Sequence, residues 1–326
     1  MKYTVLFFLL AAPFFSRAQL HWHKVDSLFG PLPPSVQVYT TKDSLDSAPF
    51  KAVYVMADLA DATLDFTTDT TQDRRLTPSQ FYERNQAPLL VVNGTFFSFQ
   101  TNGNLNTVIR DGKLLSGNVH SLPGRGKDTL TYRHPFGSAL GISKNRKADV
   151  AWLYTDLSGK KAFATQSPLP AIKDSVPEPS LKEMVKKTSL ITGHNGKAQP
   201  IFKKWKVQTA IGGGPVLVQN GSIRITNNEE LKFAGKAIRD KHPRTAMGYT
   251  ADHKLIILVI EGRNREAAGA TLVQTAQLLK DLGCIEALNL DGGGSSCLLV
   301  NGNETIRPSD KEGQRAVPAV FLIKKR

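Results

Sequence analysis

Near the C-terminus the chain reads E-A-L-N-L-D-G-G-G-S-S from Glu286 to Ser296, an apolar run ending in an amide, a carboxylate, three glycines and two hydroxyls. Glycine lacks Cβ, so such a segment can turn sharply and bring its backbone close to a ligand. A carboxylate at the end of a rigid element is placed for acid, base or electrostatic work on a bound molecule. The bland alternative is a hairpin turn with Asp291 as its local hydrogen-bond acceptor. Other polar groups stand beside glycine in the same way: Asn93-Gly94, Gly212–Gly214, Arg244-Thr245 and Glu261-Gly262-Arg263. Taken singly, each reads as an ordinary turn; recurring next to apolar strands, they can converge at one sheet edge.

The elements that must carry these groups are legible from periodicity. Lys51–Asp58 and Ala62–Thr67 alternate as strands, and Leu89–Val92 is a short buried run. Thr77-Pro78-Ser79 opens a helix through Arg84, with proline just inside its start. Val108–Leu115 is a hairpin around Asp111-Gly112. His134–Ile142 and Ala148–Tyr154 add strands, and so do Val207–Ile211 and Val216–Val218. Thr245–Thr250 and Lys254–Ile260 form a pair. Leu272, Ala276 and Leu279 give Thr271–Leu282 helical spacing, with Gly283 as its stop. Strands Ile285–Leu290 and Ala316–Ile323 complete the set. Many strands and few helices predict an α+β fold: one mixed, strand-rich domain. The expected divisions are a leader at 1–18, an N-terminal extension with the first strands at 19–76, and a main domain at 77–326. Between about 156 and 204 prolines and lysines accumulate and periodicity fades, which predicts a loop-rich insertion bordering the site.

Composition limits the function classes. The 326 residues are 40% hydrophobic and 21% charged, ordinary for a globular protein. Lys2, the apolar stretch after it and Ser16-Arg17-Ala18 form a signal-peptide pattern with cleavage after Ala18. Secretion or a periplasmic location follows, with no permanent membrane anchor. Removing Lys2 and Arg17 takes two charges from the net +14 and leaves +12, which suits an anionic partner. Nucleic acid fits poorly, because basic and aromatic residues do not interleave. The oligomeric state is not legible. The only cysteines, Cys284 and Cys297, flank the glycine segment. If that segment were a hairpin, they would lie roughly 20 Å apart, so free buried thiols are expected.

The set V-V-N-G-T-F-F (Val91–Phe97), I-R-D-G-K-L (Ile109–Leu114), G-G-G-P-V-L-V (Gly212–Val218), P-R-T-A-M-G (Pro243–Gly248), V-I-E-G-R (Val259–Arg263) and A-L-N-L-D-G-G-G-S-S (Ala287–Ser296) resembles the phosphodiester glycosidases, relatives of the lysosomal uncovering enzyme, in the same order. The resemblance spans roughly residues 78 to 323. One departure is visible: where members often carry Asp-Gly-Arg, this chain has Glu261-Gly262-Arg263. The resemblance implies cleavage of a sugar-1-phosphodiester to free sugar and phosphomonoester. Within that chemistry Asp291 and Glu261 are the catalytic candidates, serving an oxocarbenium-like state or an activated water. Arg244 and Arg263 suit the phosphate oxygens. Asn93 and Asn289 are candidates for sugar hydroxyls, and Gly292, Gly293, Ser295 and Ser296 for an anion-binding nest. No cofactor is called for; the alternative role for Asp291 is to ligate a divalent metal such as calcium. No His/Cys cluster supports zinc. The rival readings are an inactive glycan-binding or envelope-associated protein of the same fold, and a different phosphate-ester hydrolase.

Overall fold

The computed structural model describes residues 20–191 and 202–326. The leader expected at 1–18 lies outside them, as does part of the 156–204 segment. Three antiparallel sheets make up most of the domain. An eight-stranded sheet runs in the order 23–24, 36–41, 52–58, 254–260, 244–250, 284–289, 216–219, 222–223. A seven-stranded sheet is ordered 203–204, 161–165, 148–156, 137–142, 209–212, 108–110, 113–116. The third, five-stranded, is ordered 303–304, 298–300, 90–93, 319–325, 64–70. With only short helices beside them, the fold is the mixed, strand-rich α+β domain expected. Among the described residues no helix is long and apolar enough to cross a membrane.

Period-two alternation explains the layering. In strand Lys254–Ile260, Leu255, Ile257 and Val259 enter the central core, while Ile256, Leu258 and Ile260 enter an outer core. Leu272, Ala276 and Leu279 of helix Leu272–Asp281 cover that outer core. The five-stranded sheet repeats the plan. Leu90, Val92, Phe321 and Ile323 face the centre, and Val91, Val320 and Leu322 pack with Phe81 of helix Pro78–Arg84. Both helices begin with a capping box. Thr77 and Thr271 accept from the N–H of Gln80 and Gln274 at 3.2 and 3.1 Å, and each glutamine returns the bond at 2.9 Å. Sheets with two apolar faces read as near-continuous hydrophobic runs, which is how these strands appear in the sequence.

Two expectations change. The glycine segment is not a hairpin. Strand Cys284–Asn289 belongs to the eight-stranded sheet, whereas Leu298–Val300 pairs with Leu90–Asn93 in the five-stranded one. The glycine turn therefore carries the chain from one sheet to the other. Cys284 and Cys297 are both free and buried, and burial pushes the Cys284 thiol up to about 12. The 156–204 segment is also more regular than its composition suggests. Lys161–Thr165 is an interior strand with Ala162, Ala164 and Thr165 buried, and Leu181–Ile191 is a helix. Small alanines give little period-two hydrophobic signal, and the surrounding prolines mask it.

A buried carboxylate pins the seven- and eight-stranded sheets together. Glu230 accepts from the Ser138 hydroxyl (2.7 Å), Ser138 N (3.2 Å), Trp152 Nε1 (3.2 Å), Val216 N (2.9 Å) and the Thr226 hydroxyl (2.6 Å). Removing it leaves buried donors from both sheets without a partner, each worth about 1–3 kcal/mol. Glu230→Ala is expected to lower stability by about 3–5 kcal/mol, read as a shift in the urea midpoint at constant slope. An unchanged midpoint would show that the sheets hold together without this carboxylate.

Candidate active site

The site is built around the glycine turn, and backbone hydrogen bonds fix that turn on three sides. Leu290 N donates to Thr245 O at 2.8 Å, Asp291 N to Gly94 O at 3.0 Å, and Gly293 N to Pro243 O at 2.9 Å. Gly293 lies at φ +61°, which side chains other than glycine adopt with strain. At Gly294 a Cβ would run into the Arg315 guanidinium. The glycines thus let the turn twist and let an arginine press against it.

Asp291 is the titratable group at the centre. Burial pushes its carboxyl up to about 6. The Ser295 hydroxyl, the Arg315 charge and the Gly292 N–H, which donates to Oδ1 at 3.0 Å, favour the anion without outweighing burial. Ser295 Oγ lies buried beside the carboxylate with no well-formed hydrogen bond.

Positive charge gathers around the turn. The Arg263 guanidinium sits about 3.0 Å from where a Cβ on Gly293 would be, and its Nη2 lies 3.4 Å from His242 Nδ1. Arg315 donates to Asp310 at 2.6 Å. Arg244 is buried, with Nε on Ala270 O (2.9 Å) and Nη2 on Asp240 O (3.2 Å), and makes no ion pair among the described residues. Burial, helped by Arg263, pulls its pKa down to about 10, so it stays protonated at neutral pH. His242 is lowered by burial and then by Arg244 and Arg263, which keeps its ring neutral and lets Nδ1 accept from Arg263.

The remaining expected residues fall in different places. Asn93 is fully buried and committed. Its Nδ2 donates to Asp291 O at 2.7 Å, and its Oδ1 accepts from the Thr245 hydroxyl at 2.8 Å and from Cys297 N at 3.1 Å. Asn289 is also fully buried, with Nδ2 on Gly214 O (3.1 Å) and Leu290 O (2.6 Å). Asn93 is committed to positioning the turn, whereas Asn289 Oδ1 is buried without a hydrogen-bond partner among the described residues, so this amide keeps one acceptor that a ligand hydroxyl could use. The N–H groups of Gly292, Gly293, Ser295 and Ser296 already donate within the protein, so they do not form an open anion nest. The Ser296 hydroxyl lies 3.2 Å from that of Thr245.

Glu261 is the largest departure. Its oxygens accept from Asn264 Nδ2 and Arg307 N, each at 3.0 Å. It lines a cavity of about 350 Å³ with Lys42, Lys51 and Arg307, to which the glycine turn contributes no residue. Strand Lys254–Ile260 ends just before it, and Glu261 N bonds to Lys51 O at 3.0 Å. Arg263, two residues on at φ +64°, returns to the turn.

Sequence reasoning missed several neighbours. Phe96 and Phe233 meet edge to face at 5.9 Å, with Lys232 over the first ring (5.4 Å) and Arg244 over the second (5.6 Å). Exposed Phe99 lies under Arg75 (5.1 Å) and Arg315 (5.6 Å). Phe96 stands inside a quoted motif; Lys232, Phe233 and Arg315 lie outside every one and carry no local signal. Among the described residues, no group of three His, Cys, Asp or Glu side chains could hold a metal ion.

A partly desolvated carboxylate on a glycine turn, with the Arg263 and Arg315 guanidinium groups against that turn on an antiparallel α+β scaffold, defines a site for an anionic ligand. Residues 87–324 match the phosphodiester glycosidase family model, and the chain belongs to that family. It is 30% identical over 130 residues to the N-acetylglucosamine-1-phosphodiester alpha-N-acetylglucosaminidase of Bos taurus, covering 37% of this chain and 24% of that protein. It is 41% identical over 70 residues to the SPbeta prophage-derived uncharacterized protein YomE of Bacillus subtilis, covering 22% of this chain and 11% of that one. The matched stretches thus span at most about a quarter of these relatives. The catalytic domain of the zebrafish N-acetylglucosamine-1-phosphodiester alpha-N-acetylglucosaminidase, auto-inhibited by its pro-peptide, shares the fold at TM-score 0.57 and 20% identity. That likeness covers 90% of this chain and 85% of the zebrafish domain. A hypothetical protein from Synechocystis gives TM-score 0.58 at 15% identity, over 94% of this chain and 68% of that one.

The raised Asp291 pKa has a consequence for stability. A folded-state pKa above the unfolded value means that this group's contribution is fully present below about pH 4 and is lost as pH rises through about 6. Asp291→Asn is therefore expected to raise Tm by a few degrees at pH 8 and to leave it unchanged near pH 4. Thermal melts at the two pH values check this; a lower Tm for the variant at pH 8 would mean that the ionised carboxylate supports the fold.

Proposed function

We propose that the protein hydrolyses a glycosyl phosphodiester, releasing free sugar and a phosphomonoester. The single observation that carries this reading is the Asp291 carboxylate, held partly desolvated on the glycine turn within the field of Arg315, with the Arg263 guanidinium against the neighbouring Gly293. A carboxylate in such a place suits a developing oxocarbenium ion, and guanidinium groups suit a departing phosphate. Water oxygen bonds to the anomeric carbon as the bond from that carbon to the phosphate oxygen breaks. The electron pair leaves on the phosphate, whose charge Arg263 and Arg315 offset. Ionised Asp291 takes the water proton. A phosphate leaving group needs little protonation, so one carboxylate suffices. The aromatic wall of Phe96 and Phe233 offers an apolar face to the sugar ring. Export to the periplasm or medium is part of the proposal and rests on the pattern of residues 1–18.

One observation favours a second reading. Because Glu261 serves another cavity, a pair of carboxylates flanking the scissile bond is not in place. A binding protein that kept the fold without turnover would need only the arginines.

Steady-state hydrolysis of an aryl sugar-1-phosphodiester separates the two. Asp291→Asn is expected to reduce kcat by at least about 100-fold while the variant stays folded. Wild-type kcat/KM should fall as pH drops below about 6, where Asp291 becomes protonated. Absence of turnover in the wild type on a broad panel of such diesters would favour the binding reading.

The arginines give an independent check. Replacing Arg263 with lysine should weaken binding of a sugar-1-phosphate by about tenfold or more and hardly change affinity for the free sugar, because the forked contact to phosphate is lost. Calorimetry with both ligands measures this, and equal losses would make Arg263 a structural residue.

A further inference from the structure

A second ligand site lies away from the glycine turn. A cavity of about 920 Å³ is lined by Arg74, Arg84 and Arg110 together with Leu115, Val119 and Leu157. The three aliphatic side chains are 37%, 37% and 57% exposed, among the few large hydrophobic residues the protein leaves open to water. Aliphatic groups gathered in one exposed concavity mark a binding surface more often than single exposed leucines do. Their exposure follows from the local fold. Leu115 is on the outer strand of the Val108–Ser116 hairpin, at the edge of the seven-stranded sheet. Gly117 leaves room for Thr155 and Leu157: a Cβ there would fall 2.8 Å from Thr155 Oγ1 and 3.1 Å from the Leu157 side chain.

The basic wall is organised. Asp69, 2% exposed, accepts from Arg110 Nη1 (3.0 Å) and Asn85 Nδ2 (2.9 Å) and forms an ion pair with Arg84 Nε (3.2 Å). One buried carboxylate thus orients two guanidinium groups. The terminal nitrogens of Arg84 and Nη2 of Arg110 have no partner among the described residues, nor does the Arg74 guanidinium. Asp69 and Asp73 offset two of the three charges, and a net positive charge remains. Oriented, partly unpaired guanidinium groups recognise oxyanions. The volume falls within the roughly 300–1,000 Å³ of small-molecule sites.

We propose that this cavity binds an anionic amphiphile, its oxyanion head on Arg74, Arg84 and Arg110 and its aliphatic tail along Leu115, Val119 and Leu157. The two walls select for both properties at once: a free anion leaves the leucines wet, and a neutral amphiphile leaves the arginines unpaired. The site shares no lining residue with the glycine turn, so its ligand need not be the substrate.

Calorimetry on the full chain tests this with three probes below their micelle concentrations: octyl phosphate, octyl glucoside and inorganic phosphate. Octyl phosphate is expected to bind at least about tenfold more tightly than either of the others. Arg74→Glu and Leu157→Asp, both at exposed side chains, should each weaken it by about tenfold. Arg263→Ala should leave it unchanged. Equal affinity for the three probes, or no effect of either groove variant, would overturn the proposal. Loss of octyl phosphate binding in Arg263→Ala would overturn it as well, because the ligand would then sit at the glycine turn.

Discussion

One buried amide holds the candidate site together. Asn93 ends a strand of the five-stranded sheet and bonds to Thr245 of the eight-stranded sheet, to the Cys297 amide and to the Asp291 carbonyl. The glycine turn leaves one sheet and enters the other, so its path depends on bonds to neighbouring segments as well as on its own short helical turn at Gly293–Ser295. Asn93 is one such neighbour: its Oδ1 accepts two bonds and its Nδ2 donates one. The Asp291 carboxylate inherits its position from these bonds, and the surrounding arginines are placed relative to it.

The electrostatics follow from this geometry. Packing between sheets removes water from Asp291 and raises its pKa, although arginine and hydroxyl groups lie close by. A carboxylate used only as a structural acceptor is better served by several hydrogen bonds, and Glu230 receives five. Asp291 receives one well-formed bond, from Gly292. The group left short of partners is the one at the mouth of the site, a pattern expected where folding stability is traded against function.

Glu261 and Arg263 show how a short motif can divide its labour. Glu261 stays with the strand it ends and binds Asn264 and Arg307, whereas Arg263 turns back to the glycine segment. Two residues of chain and one left-handed φ separate the two destinations. Family membership therefore does not by itself place every polar residue of a shared motif in the same cleft. The nearest charged neighbour of Asp291 outside the motifs, Arg315, comes from the loop before the last strand.

By itself the sequence determined many of the strands, the two main helices, the α+β class, the family and the identity of Asp291, Arg244 and Arg263 as polar residues at strand ends. These are local signals: hydrophobic period, cap chemistry, glycine position and an ordered set of motifs. It left Val36–Thr41 unread and ran the end of Tyr132–His134 together with Gly137–Ile142, which lie in different sheets, as one strand. Only the tertiary structure decided that the glycine turn crosses between sheets instead of folding back as a hairpin, because pairing partners far apart in sequence leave no mark on either strand. It also showed Asn93 to be bound internally, Asn289 to keep only its Oδ1 unpartnered among the described residues, and Glu261 to line another cavity. Side-chain direction at a strand end depends on which neighbours compete for the group, and those neighbours come from distant segments. For the same reason Lys232, Phe233 and Arg315 join the site with no pattern of their own to announce them. The 156–204 segment carried too weak a period for its strand to be read, and the sheet beside it supplied the partners that made it one.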